Sequence, residues 1–131
     1  MAWPDIIPHI RYEDAPAMLD WLEEAFGFTR RVVYEEGAQI VHAEVTFGTG
    51  LFMCGSAREG PDAAKPPKQL GGEMTGGMYV VVDDPDAHCE RARAAGAEIV
   101  REVQDMEYGS REYAARDPEG YLWGFGTYRP E

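Results

Sequence analysis

Cysteine, positive charge and long apolar runs are all scarce in this chain, and each scarcity closes off a class of function. Only Cys54 and Cys89 occur among 131 residues. They are too few and too far apart for a disulfide framework or a zinc knuckle, so two buried thiols in a reducing cytoplasm are expected. No apolar stretch reaches the roughly 20 residues that a membrane-spanning helix needs, and no leader of signal-peptide form precedes the body of the chain. Twelve Lys and Arg stand against 24 Asp and Glu, a formal net charge of −12. Such a surface repels phosphate backbones and anionic lipid, which argues against nucleic-acid and membrane partners and favours a cationic ligand. No pairing of a Ser or Cys nucleophile with a histidine base is legible, so no catalytic residue is assigned.

The composition that remains is ordinary for a globular protein, 44% hydrophobic and 27% charged, at a length that suits one compact domain or two small modules sharing a core. Its most informative stretch is Tyr108–Tyr128. Ser110–Arg116 alternates as a strand, Asp117-Pro118-Glu119-Gly120 makes a tight turn, and Tyr121–Tyr128 returns rich in aromatics and glycine. Alternation sets Tyr121, Trp123 and Phe125 on one face, expected to pack under a helix, and Leu122, Gly124 and Gly126 on the other, expected to line a cleft.

Upstream, Asp5–Tyr12 reads as a first strand with Pro8 as an irregularity. A helix follows: Asp14 is its N-cap, Pro16 suits its first turn, Met18, Leu19, Leu22, Ala25 and Phe26 recur at spacings of three and four, and Gly27 stops it. Strands are predicted at Phe28–Glu35, Ile40–Phe47 and Leu51–Gly55. Residues 56–77, rich in proline, lysine and paired glycines, break the pattern as a linker or a lid. A second strand, Met78–Val82, a helix from Asp84-Pro85 to Gly96, and a strand at Glu98–Val103 lead into the closing hairpin. Pro16 and Pro85 share one offset with Gly27 and Gly96, so the chain reads as a βαβββ module written twice, residues 1–55 and 78–131.

That duplication, opened by PHIRYEDAPAMLDWLEEAFGF and closed by YGSREYAARDPEGYLWGFGTY, resembles the glyoxalase, bleomycin-resistance and extradiol-dioxygenase (vicinal oxygen chelate) superfamily over nearly the whole chain. The resemblance implies an α+β fold of two tandem modules whose curled sheets surround a cleft, with the helices on their outer faces. It also implies a homodimer whose cavities are commonly built from both chains. Metal-bearing relatives hold a divalent ion with His, Gln or Glu on the first and last strand of each module. Carried over, those positions fall at Ile7, about Met53, between Gly76 and Met78, and at Gly124. None offers the imidazole or carboxylate such an ion prefers, so no metal and no cofactor are expected. A relocated metal near His9, His42 and Glu44 is the alternative, and would make the chain a lyase or oxidoreductase. Metal-free acid–base work by a histidine with Glu44 is the other enzymatic possibility.

Metal-free relatives of the bleomycin-resistance type sequester drugs in clefts lined by aromatic and apolar side chains. The corresponding candidate lining here is Ile7, His9, His42, Glu44, Met53, Tyr79, Arg111, Tyr113, Leu122 and Gly124. Several have plainer readings. Met53 and Leu122 suit a core, Tyr79 and Tyr113 suit half-buried structural positions, and Arg111 either pairs with a carboxylate or grips a ligand anion. The expectation is a small-molecule binder for a hydrophobic or cationic compound.

Overall fold

The structure, a computed structural model describing residues 2–131, contains two α-helices and eight strands in the order βαβββ–βαβββ. Module one comprises β1 (His9–Tyr12), α1 (Ala15–Phe26), β2 (Thr29–Glu36), β3 (Gln39–Phe47) and β4 (Gly50–Ser56). Module two comprises β5 (Met78–Val81), α2 (Pro85–Ala94), β6 (Glu98–Asp105), β7 (Arg111–Arg116) and β8 (Leu122–Gly126). The sheet orders, β1-β4-β3-β2 and β5-β8-β7-β6, are the same arrangement twice, with first and last strands parallel and the other pairs antiparallel. This is the α+β fold of two βαβββ modules that the repeated offset implies.

The helices form where the caps predict. The Asp14 carboxylate accepts from Ala17 N–H (3.2 Å) and Asp84 does the same for Ala87 (3.1 Å). Each satisfies an amide that a helix start leaves without an internal partner. Gly27 ends α1 at φ 76°, a conformation that is cheap only without a Cβ. Arg91 of α2 then reaches over that end, donating to the carbonyls of Glu24 (2.8 Å) and Glu23 (2.9 Å), while Trp21 of α1 donates its indole N–H to the Ala95 carbonyl at the end of α2 (2.8 Å). Each helix therefore caps the other, and the two modules share one core. At its centre Phe26 and Phe28 meet Trp123 and Phe125 at ring separations of 4.8 to 5.7 Å. Trp123 and Phe125 lie on the helix side of β8 as alternation predicts.

The first strand is shorter than the sequence suggests. Pro8 has no N–H for the ladder, and its carbonyl accepts from Met53 N–H (2.9 Å) just before β1 starts at His9. Ile7 consequently lies outside the sheet.

The turn of residues 117–120 does more than join two strands. Asp117, 4% exposed, accepts from Tyr12 Oη (2.7 Å), Trp123 Nε1 (3.1 Å) and the amides of Glu119 (3.0 Å) and Tyr121 (3.1 Å). Burial pushes its carboxyl pKa up, against these hydrogen bonds. Glu119 accepts from the amides of Glu13 (2.5 Å) and Asp14 (2.7 Å) at the entry to α1. The Tyr121 hydroxyl both donates to the Arg11 carbonyl (2.8 Å) and accepts from the Arg11 amide (3.2 Å). Module two thus clips the β1–α1 corner of module one. Residues 57–77 pack over this clip: Pro66 and Pro67 are buried, and Lys68 N–H donates to the Glu119 carbonyl (3.0 Å).

Candidate functional site

Each sheet turns one face to the shared core and leaves the other open. In module one the open face begins with the register row His9, Met53, Glu44 and Val32, and continues with Arg11 beside Gly55 and Tyr34 beside His42. Strand alternation accounts for the sorting, because Ile10, Tyr12, Ala43, Val45 and Cys54 on the opposite face are buried. Glu44 accepts from Arg31 (2.5 Å) and lies 2.9 Å from His42 Nε2; these contacts, the histidine's first, hold its carboxyl below its ordinary pKa. Tyr34 stacks on His42 at 6.0 Å. Burial, then the charges of Arg11, His42 and Arg58, push the His9 pKa down.

In module two the open face is mostly apolar. Tyr79, Leu122 and Gly124 line a depression of about 500 Å³ with Val100, Arg101 and Ala114. The Tyr79 ring crosses β8, and its hydroxyl donates to Glu112 (3.0 Å) and accepts from Tyr128 N–H (3.0 Å). A Cβ at Gly126 would sit 2.4 Å from that hydroxyl and 2.5 Å from Glu112 Cγ, whereas one at Gly124 would make ordinary contact at 3.7 Å. Gly126 is therefore space already filled by Tyr79, and Gly124 is space still open to a ligand.

Seven of the ten predicted lining residues fall on these two faces, and three, Tyr113, Arg111 and Ile7, do not. Tyr113 is fully buried on the helix side, stacked on Phe125 at 5.0 Å. Its hydroxyl meets His88 Nδ1 at 2.5 Å, while His88 Nε2 lies 2.8 Å from the Phe26 carbonyl. Nε2 therefore carries the proton and Nδ1 accepts. Arg111 shares that side by alternation and is bound to Asp86 (2.8 Å) and Asp105 (3.0 Å), so of its two readings the structure supplies the carboxylate pairing. Ile7 precedes β1 and takes no place in either register row. The residue in register with Met53 is His9, and the one in register with Gly124 is Tyr79.

This register sharpens the metal question. Of the positions that the resemblance assigns to an ion, Ile7, about Met53, between Gly76 and Met78, and Gly124, the second and last have His9 and Tyr79 as register neighbours, so the side chains brought together are an imidazole, a thioether and a phenol. That set does not fit a divalent cation. Among the described residues no three His, Cys, Asp or Glu side chains are grouped to hold one. Both cysteines are buried, and burial pushes the Cys54 thiol up to about 12. Arg11 was missed by the sequence reading, although period-two alternation from His9 places it on the open face. Asp117 and Glu119 were read only as turn residues.

A second cavity, about 320 Å³, opens at the seam between the modules, bordered by Phe28, Phe52 and Trp123. It runs from the core aromatics out to Thr49, Tyr79 and Arg129, which give it polar groups of its own, and it is more enclosed than the depression on the face of module two. Among the described residues no helix is long and apolar enough to cross a membrane.

Comparison with solved structures finds TioX from Micromonospora sp. ML1 at 31% identity, covering 98% of each chain with a TM-score of 0.74. Glyoxalase I from Zea mays, as its V278E mutant, shares the fold at 20% identity and a TM-score of 0.72, this chain spanning 45% of it. An uncharacterized protein of Mycobacterium bovis is 29% identical over 94% of this chain and 82% of its own length. With residues 6–125 also matched by the family's sequence profile, this chain belongs to the Glyoxalase/Bleomycin resistance protein/Dioxygenase superfamily.

Proposed function

We propose that the protein binds and sequesters a small hydrophobic molecule in a cleft formed by its open sheet faces, in the manner of a bleomycin-resistance-type binder rather than a metalloenzyme. The observation that carries this reading is the face of module two, where the flat Tyr79 ring is pinned by its hydroxyl beside unfilled space at Gly124. A fixed aromatic plane next to a glycine floor suits a planar apolar ligand. The faces are open, and Tyr34, Tyr79 and Val100 are exposed on them. A homodimer that lays module one of one chain against module two of its partner would cover these residues and close the cleft. Two buried free thiols support a cytoplasmic setting as part of this proposal.

The His42–Glu44 pair, 2.9 Å apart, is the observation behind a second reading, in which that histidine does acid–base work or joins His9 at a relocated metal. Metal analysis of the purified protein, with Ni²⁺, Zn²⁺, Mn²⁺ and Fe²⁺ titrations followed by melting temperature, separates the two. The binder reading expects no stoichiometric ion and no stabilisation. One tightly held ion per chain, lost in His9→Ala or His42→Ala, would overturn it in favour of an enzyme. A thermal-shift screen of aromatic compounds, with sedimentation to read the oligomeric state, then tests the cleft.

A further inference from the structure

The open face of module one holds a charge that the protein leaves uncompensated. Arg11 is 8% exposed, yet among the described residues no carboxylate lies within 4 Å of its guanidinium. Its one side-chain hydrogen bond is a long donation from Nη1 to the Ser56 carbonyl (3.4 Å). Arginines with so little exposure are usually paired; the nitrogens of this one that lack a protein partner keep contact with solvent and are available to a ligand. Its position is nonetheless fixed. Tyr121 of module two grips both polar groups of the Arg11 backbone, and Gly55 makes room for the guanidinium, since a Cβ there would lie 2.6 Å from Nη1. The surroundings are also cationic. Arg58 is close enough that its charge and that of Arg11 both help to drive the proton from His9. The carboxylates nearby are already engaged, Glu44 by Arg31 and His42, and Asp62 by Arg58 at 3.5 Å.

We propose that Arg11 is an anion fork, and that the ligand of this cleft is an aromatic molecule carrying a carboxylate-type oxyanion that docks between Arg11, Arg58 and His9. The proposal rests on the binding reading above and names its ligand class. It runs against the charge of the whole chain: a net −12 favours cations at long range, but the group that meets a bound ligand at contact distance is a planar five-donor cation. It also moves the anion-gripping role from Arg111, whose guanidinium is taken by Asp86 and Asp105, to Arg11, whose guanidinium is free of carboxylates.

The test uses the full chain and three probes with one aromatic core: 2-naphthoate, 2-naphthamide and 2-naphthylmethylammonium, followed by backbone amide NMR shifts. Naphthoate is expected to bind about tenfold tighter than the amide, the scale of one charge-assisted hydrogen bond. The cation is expected to bind weakest, and the shifts to centre on residues 9–11 and 53–55. Arg11→Met should bring naphthoate to the level of the amide, Arg11→Lys should recover part of the difference, and Arg58→Gln should cost less than Arg11→Met. Should Arg11→Met fail to fold, the wild-type ranking and Arg58→Gln still decide. Equal binding of the three probes, or preference for the cation, overturns the anion fork and leaves the binding reading standing. No shift on either face from any probe overturns both.

Discussion

The two modules share a backbone plan and differ in what they expose. Module one presents several charged and polar groups, His9, Arg11, His42 and Glu44, across its open face; module two presents Tyr79, Leu122, Ala114 and glycine beside a single ion pair, Arg101 with Glu112 at 3.5 Å. The turns before their last strands differ as well. In module two Asp117 and Glu119 bind the other module, while the corresponding turn in module one, Gly48 and Thr49, makes no such contact among the bonds described. Duplication supplied two similar troughs, and divergence made one an orienting surface and the other a stacking surface. A ligand with a flat body and a polar end needs both.

The two modules are most vulnerable at the clip that joins them. Asp117→Ala strips an acceptor from four donors, most of them buried, and is expected to cost about 3–5 kcal/mol in urea unfolding, loosening both modules together. Asp117→Asn keeps one acceptor oxygen and should cost less. If Asp117→Ala unfolds only module two, the clip does not couple them.

Next in size is a paired test of the glycine floor. Gly126→Ala should cost about 1–3 kcal/mol, the range for overpacking, because the new methyl collides with Tyr79 and Glu112. Gly124→Ala should leave the unfolding midpoint nearly unchanged and weaken binding of the aromatic probes. Equal stability losses at the two positions would show that the open space at Gly124 does not exist.

A smaller effect comes with pH. His88 is half-buried, and its partial burial lowers its folded pKa. Below the unfolded value of about 6.5 the unfolded chain takes up a proton that the folded chain resists. The His88 contribution is therefore intact above pH about 6.5 and lost as pH falls from there through the lower folded value. Melting temperature between pH 7.5 and 5 should show this slope, and His88→Gln should flatten it. The smallest effect is expected at Arg111, an exposed ion pair: Arg111→Ala should move neither the unfolding midpoint nor probe affinity.

Which parts of this could be read from the residues follows from the range of the forces involved. Caps at Asp14 and Asp84, the stop at Gly27, the Asp117–Gly120 turn and the alternation of Trp123 and Phe125 are local, set within a few residues by hydrogen-bond geometry and period, and the sequence places them. The limits of β1 depend on its partner strand, which is why Pro8 trims it to His9. Assignment of Tyr113 and Arg111 to the cleft failed because alternation says which residues share a face and not which face meets the helices.

By itself, then, the sequence determined the duplicated βαβββ plan and the helix ends, since period and capping are properties of short stretches. Only the tertiary structure decided that Asp117 and Glu119 bind the other module, that Tyr79 fills the space at Gly126, and that Arg11 is buried without a carboxylate. Those facts depend on which strand lies beside which, and contacts between residues as distant as Arg11 and Tyr121 arise only when the chain closes on itself.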